Sequence, residues 1–152
     1  MNELTSQLLR FNAIYNDTNR TYHKLALNLG LPDSAFWILY LIRSGEKLYT
    51  QSEICEVMCL SRQTVNSALK SLSSSGYIEL VYSDGNKKNK HLKLTEAGKN
   101  FCETSVDKVI GLELSALSKF TAEELKLLLT LNNKFAICLR EESDKIITAN
   151  RN

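Results

Sequence analysis

The chain of 152 residues is short of the features that mark several protein classes. It has one proline, six glycines, two histidines and one tryptophan, and no apolar run near the ~20 residues of a membrane span. Little proline and glycine with 43% hydrophobic and 24% charged residues exclude a fibrous or disordered chain and fit a globular one. The start, MNELTSQLLR, lacks a signal peptide's basic segment and hydrophobic middle, so a cytoplasmic location with no membrane contact is expected. Cys55, Cys59, Cys102 and Cys138 form no C-x-x-C, and His23 and His91 are far apart in the chain, so neither a structural metal site nor a cofactor is expected. In a reducing compartment such cysteines act mainly as small apolar groups, although Cys55 and Cys59, at i and i+4 of one expected helix, are also a candidate redox pair. A Gly-rich phosphate loop, a nucleophile elbow and a histidine near a nucleophile are all missing, so the chain does not read as an enzyme.

What is present begins with a seam. Leu4, Leu8, Phe11, Tyr15, Tyr22 and Leu29 alternate spacings of four and three, which predicts a long amphipathic helix that needs a partner surface. Gly30 and Pro32 end it, and AFWILYLIRS predicts a short, mostly buried helix before Gly45. Thr50-Gln51-Ser52-Glu53 is a capping box that opens a third helix over about 51–58. Ser61 caps a fourth, separated from the third only by Cys59 and Leu60. Two short capped helices with facing apolar sides, Ile54, Val57 and Met58 toward Val65, Ala68 and Leu69, make a helix-turn-helix.

The stretch CLSRQTVNSALKSLSSSGYI, residues 59–78, combines an apolar stripe of Val65, Ala68, Leu69 and Leu72 with an outer face of Arg62, Gln63, Thr64, Asn66 and Lys70. Guanidinium and amide groups on such a face have the reach and the donors to read base edges in DNA. After Gly76, YIELVY and HLKL flank the turn-rich SDGNKKNK, which predicts a β-hairpin wing whose Lys87, Lys88 and Lys90 meet phosphate. Between Ser61 and Lys93 six basic residues stand against two acidic ones, a local +4 in a chain of formal charge +2. The remainder, from TEAGKNFCETSVDKVIGLELSAL through a second capping box at Thr121 and Glu124, predicts two long helices. These carry more apolar surface than one small winged helix uses, so burial between two subunits is their natural use.

The strings LSRQTVNSALKSLSSSGYI and KLTEAGK, with the order of elements across nearly the whole chain, resemble the MarR family of winged helix-turn-helix transcriptional regulators. The resemblance implies a mainly α fold with a small β-hairpin wing (α+β), as one unit over 1–152. Within it, 1–30 and 99–152 form a helical dimerisation region and 33–98 a winged-helix DNA-binding lobe. It further implies a homodimer on a palindromic double-stranded operator, a repressor, with the fourth helix in the major groove and the wing near the minor groove. By position, Ser61, Arg62, Gln63, Thr64, Asn66, Ser67 and Lys70 make base and phosphate contacts. The family's aspartate and arginine pair on the wing falls on Asn86 and Lys88 here, which exchanges a planar fork for a point charge. Tyr15, Trp37 and Tyr40 are candidates for lining a cleft for a small-molecule effector, and Cys55 is a candidate oxidant sensor beside the fourth helix. The alternative reading is a winged-helix protein-interaction module whose basic wing meets an acidic partner.

Overall fold

The computed structural model of the chain describes residues 2–83 and 86–149; at residue 83 and residues 86–89 it describes the backbone alone. The chain divides into two compact units, the first reaching Val109 and the second starting at Ile110.

In the first unit α1 (Glu3–Asn28) is capped by Asn2, whose side chain accepts the amide of Thr5 at 2.8 Å. It closes as a Schellman motif: Gly30 takes φ +70°, and the amides of Gly30 and Leu31 donate to the carbonyls of Leu27 and Ala26, both at 3.0 Å. Pro32 then caps α2 (Asp33–Ser44), whose Ala35, Phe36, Ile38 and Leu39 are fully buried. The remaining core is built onto α2 by Ile54, Val65, Leu72, Leu92, Cys102 and Val106.

The helix-turn-helix forms as its caps predict. In α3 (Gln51–Val57) both halves of the Thr50–Glu53 capping box are made, and in α4 (Arg62–Ser74) the Ser61 hydroxyl accepts the amide of Thr64 at 3.1 Å. The turn between them corrects the sequence reading. Cys59 lies beyond the end of α3 in a left-handed conformation, φ +51°, and closes a second Schellman motif: its amide reaches the Glu56 carbonyl at 3.2 Å, and that of Leu60 reaches Cys55 at 3.1 Å. Cys55 and Cys59 therefore do not share a helix face. Nor are the cysteines uniformly buried: Cys102 is, while Cys59 and Cys138 are exposed.

Gly76, φ +73°, ends α4 with the same motif. β2 (Ile78–Ser83) and β3 (Asn86–Leu94) make the wing, with register Ile78↔Leu94 through Tyr82↔Lys90 and an irregularity between Tyr82 and Ser83. The second strand begins at Asn86 rather than at the expected HLKL. A third strand, β1 (Tyr49–Thr50), pairs with β3 through Tyr49↔Leu92 and Thr50↔His91, giving the order β1-β3-β2. The hairpin is thus the larger part of a three-stranded antiparallel sheet. β1 escaped the sequence because two residues carry no alternation to read.

Thr95 opens α5 (Glu96–Thr104), accepting the amide of Gly98 at 3.0 Å and donating its hydroxyl to the Gly76 carbonyl at 2.5 Å. The expected continuous helix from here to Leu117 is broken at Ser105 (φ −129°, ψ −78°), so α5 is followed by a separate α6 (Val106–Leu117). Buried Ser105 turns its hydroxyl back to the Phe101 carbonyl at 2.5 Å, an alternative to the helical ladder that this residue type can supply. Across the first unit Arg43 forks onto Asp107, Nε to Oδ1 at 2.8 Å and Nη2 to Oδ2 at 2.5 Å, joining α2 to α6 and holding the Asp107 carboxyl below its ordinary range.

The second unit carries α7 (Ala122–Ala149), started by the Thr121–Glu124 capping box with contacts of 2.8 and 3.1 Å. α7 buries none of its residues and exposes Leu127, Leu128, Leu129, Leu131 and Leu139. No single helix among the described residues is long and apolar enough to cross a membrane.

Candidate nucleic-acid interface

The site is one face of α4 and what holds it. Val65, Ala68 and Leu72 anchor the helix in the core, which leaves Arg62, Gln63, Thr64, Asn66, Ser67 and Lys70 exposed. Ser61 and Thr64 are committed first to structure, since their hydroxyls are 2.8 Å apart and Ser61 caps the helix. Among the described residues neither Arg62 nor Lys70 meets a carboxylate, so both charges remain available to an anion. Their spacing, with Asn66 midway, runs i, i+4, i+8 along the edge of the exposed face of α4 that borders α3 and the sheet. Two shallow grooves flank this row. One of about 270 Å³ is lined by Gln51, Ser52, Cys55, Arg62 and Asn66. The other, about 390 Å³, runs between Lys70, Ser73 and β2.

The start of α3 is pinned from three sides. The Glu53 carboxylate takes Lys47 Nζ at 2.7 Å, the Thr50 amide at 2.7 Å and the Thr50 hydroxyl at 2.9 Å. Lys47 foremost, then the two Thr50 donors, hold its carboxyl down to about 2. Thr50 belongs at the same time to β1, so the sheet, the cap and the first turn of α3 are one rigid corner. Gln51, the first residue of that turn, donates its side-chain amide to Asn66 Oδ1 on α4. Nothing in the sequence announces this contact, which joins residues fifteen apart.

On the wing, Lys90 lies on β3 with Nζ 5.6 Å from the centre of the exposed Tyr82 ring. The side chains of Lys87 and Lys88, and that of Asn86, lie outside the described residues, as do Asp84 and Gly85. The expected effector residues separate. Trp37 and Tyr40, with ring centres 5.4 Å apart, line a groove of about 820 Å³ between α1, α2 and the α3–α4 turn, together with His23, Leu27 and Leu60. Tyr15 does not line it and is 62% exposed on α1. Among the described residues no group of His, Cys, Asp and Glu is arranged to hold a metal ion. Burial pushes the Cys102 thiol up to about 11, which makes it a core group rather than a reactive one.

A helix-turn-helix backed by a three-stranded sheet, with an exposed polar second helix, defines a winged helix-turn-helix protein. Residues 29–88 match the sequence model of the MarR family. No curated protein matches the chain. Among solved structures it is similar to NMB1585, a MarR family regulator from Neisseria meningitidis, with 24% identity, a TM-score of 0.75 and coverage of 95% of this chain and 99% of that one. It is similar also to Staphylococcus aureus MarR in complex with salicylate and kanamycin, at 22% identity, a TM-score of 0.70 and coverage of 92% and 95%. A third is the S. aureus MepR–DNA complex, at 19% identity, a TM-score of 0.66 and coverage of 86% and 96%. The resemblance to the MarR family is thus borne out by sequence over residues 29–88, and over nearly the whole chain the fold is that of the MarR family structures it resembles.

Proposed function

We propose that the chain is a sequence-specific DNA-binding transcriptional regulator that grips a palindromic operator as a homodimer and acts as a repressor. The observation that carries this reading is the outer face of α4, where Arg62, Gln63, Asn66, Ser67 and Lys70 are exposed and, among the described residues, neither cation meets a carboxylate. A merely solvated face gains from mixed charges; this one is cationic and rich in amides and hydroxyls, as a helix that enters the major groove needs. The bound DNA of the MepR structure, a protein of similar fold, supports the same use. The wing lysines Lys87, Lys88 and Lys90 add phosphate attraction. The dimer is supported by the exposed leucines of α7 and by Leu4, Leu8, Phe11 and Tyr15 on α1, a larger apolar surface than a monomer leaves in water. Residues 1–30 and 99–152 would then supply the dimer contacts and 33–98 the DNA-binding lobe.

The groove beside Trp37 and Tyr40 favours one addition, release of DNA by a small-molecule ligand with an aromatic or apolar part. It lies directly behind the α3–α4 turn, and the similar MarR structure holds salicylate and kanamycin. A ligand wedged there would shift the turn that sets α4.

Binding measured on a selected operator and on random duplex tests the reading. Arg62→Ala should cost ~1–3 kcal/mol on the operator and flatten preference at one position per half-site, because a fork that reads a guanine edge is lost. Lys90→Ala should weaken both duplexes alike and lower the slope of log affinity against log salt by about 1. Equal losses on both duplexes for Arg62→Ala would remove α4 from the role of base reader.

A further inference from the structure

We propose that Gln51, a residue of α3 outside the expected contact set, fixes which base atoms Asn66 reads, and so acts as a specificity-determining positioning residue. The inference rests on the proposed DNA reading and deepens it. A side-chain amide on a recognition helix is ambiguous: its oxygen accepts, its nitrogen donates, and an unconstrained asparagine turns either toward a base. Here the choice is made before DNA arrives. Gln51 donates Nε2–H to Asn66 Oδ1, which engages the carbonyl from α3, and among the described residues Nδ2 donates to none. What Asn66 then presents is a donor. Its natural partners in the major groove are acceptors, guanine N7 and O6, adenine N7 or thymine O4, and not the N4 amine of cytosine.

Gln51 is well placed to hold that setting. It is half-buried at the first position of α3, where the Thr50–Glu53 box and the Lys47–Glu53 pair fix its backbone, and where β1 ties the corner to the central strand of the wing. It also lines both grooves that flank the row of Arg62, Asn66 and Lys70.

The test is base preference, measured by selection from randomised duplexes and then by affinity for duplexes changed one base pair at a time, for wild type, Gln51→Ala, Gln51→Glu and Asn66→Ala. Wild type should disfavour cytosine, which offers only a donor, at the position read by Asn66, identified as the one that Asn66→Ala flattens. Gln51→Ala should relax that preference. Gln51→Glu places an acceptor-only carboxylate opposite Asn66, which must turn its Nδ2 toward it and present Oδ1 outward; preference should move toward cytosine by about tenfold in affinity ratio, the low end of what one base contact discriminates. A structural role alone would lower affinity without moving the preferred base. If Gln51→Glu disfavours cytosine there as strongly as wild type does, or if Asn66→Ala flattens no position while wild type still selects a site, the inference is overturned and the DNA reading stands. If wild type selects no sequence at all, the DNA reading itself fails.

Discussion

The substitution Gly98→Ala separates the geometry of the fold from helix propensity, because the two predict opposite signs. Gly98 sits in the first turns of α5, where alanine is favoured over glycine by ~1 kcal/mol on propensity alone. A Cβ at this position, however, would lie 1.9 Å from the Tyr77 carbonyl oxygen, 2.8 Å from its carbon and 3.1 Å from its Cα. These are backbone atoms held in place. The Tyr77 carbonyl accepts the Thr95 amide at 3.1 Å, the Tyr77 amide donates to Leu72 at 3.0 Å, and the ring stacks on Phe101 with centres 4.4 Å apart. To restore an ordinary contact α5 must retreat from the end of α4 by more than an ångström. Overpacking of this kind costs about 1–3 kcal/mol, and loosening the Thr95 bond with the Tyr77–Phe101 stack adds about 1–2 kcal/mol. After subtracting the propensity gain the net loss is about 1–4 kcal/mol, or a fall in Tm of roughly 2–16 °C for a chain of this size. Thermal denaturation at fixed protein concentration measures it. Gly111→Ala in α6, where a Cβ meets nothing within 4 Å, serves as the control and should be neutral or slightly stabilising. A Gly98→Ala protein as stable as wild type would refute the close approach and, with it, the account of why glycine stands in KLTEAGK.

Glu53→Ala should cost about 1 kcal/mol at pH 7, a figure held down by the carboxylate's partial exposure, and chemical denaturation measures it. Because the folded carboxyl is depressed to about 2, its stabilisation is present above the unfolded value near 4.3 and lost as pH falls toward 2, so the gap between variant and wild type should narrow across that window. With a thiol-reactive chromophore at pH 7.5, exposed Cys59 should label in the native protein and buried Cys102 only after denaturant is added; rapid native labelling of Cys102 would contradict its place in the core. Leu128→Asp with Leu129→Asp should dissociate or unfold the protein, read by sedimentation, whereas a well-folded wild-type monomer at micromolar concentration would end the dimer proposal.

Local chemistry was what the sequence showed best. Thr50 with Glu53, Ser61, and Thr121 with Glu124 mark helix starts because side-chain oxygen at those offsets satisfies orphan amides, and all three caps form. Gly30 and Gly76 mark helix ends because they reach positive φ without strain. Cys59 ends α3 by the same motif with a Cβ present, so no residue type signalled the left-handed turn. The Ser105 break was equally silent, since serine continues or interrupts a helix according to what its hydroxyl finds. β1 depends on pairing with a strand more than forty residues away, and the Gln51–Asn66 contact on the packing of α3 against α4. For the interface, the exposed residues of α4 were readable from periodicity, while the pinned corner that orients them exists only in three dimensions.

The central claim is tested most directly by selection of genomic fragments on the purified protein at physiological salt. The account predicts enrichment of an inverted repeat with half-sites about one helical turn apart, roughly 10 bp centre to centre, bound less tightly as salt rises. Recovery of fragments with no shared sequence, or retention indifferent to salt, would contradict it.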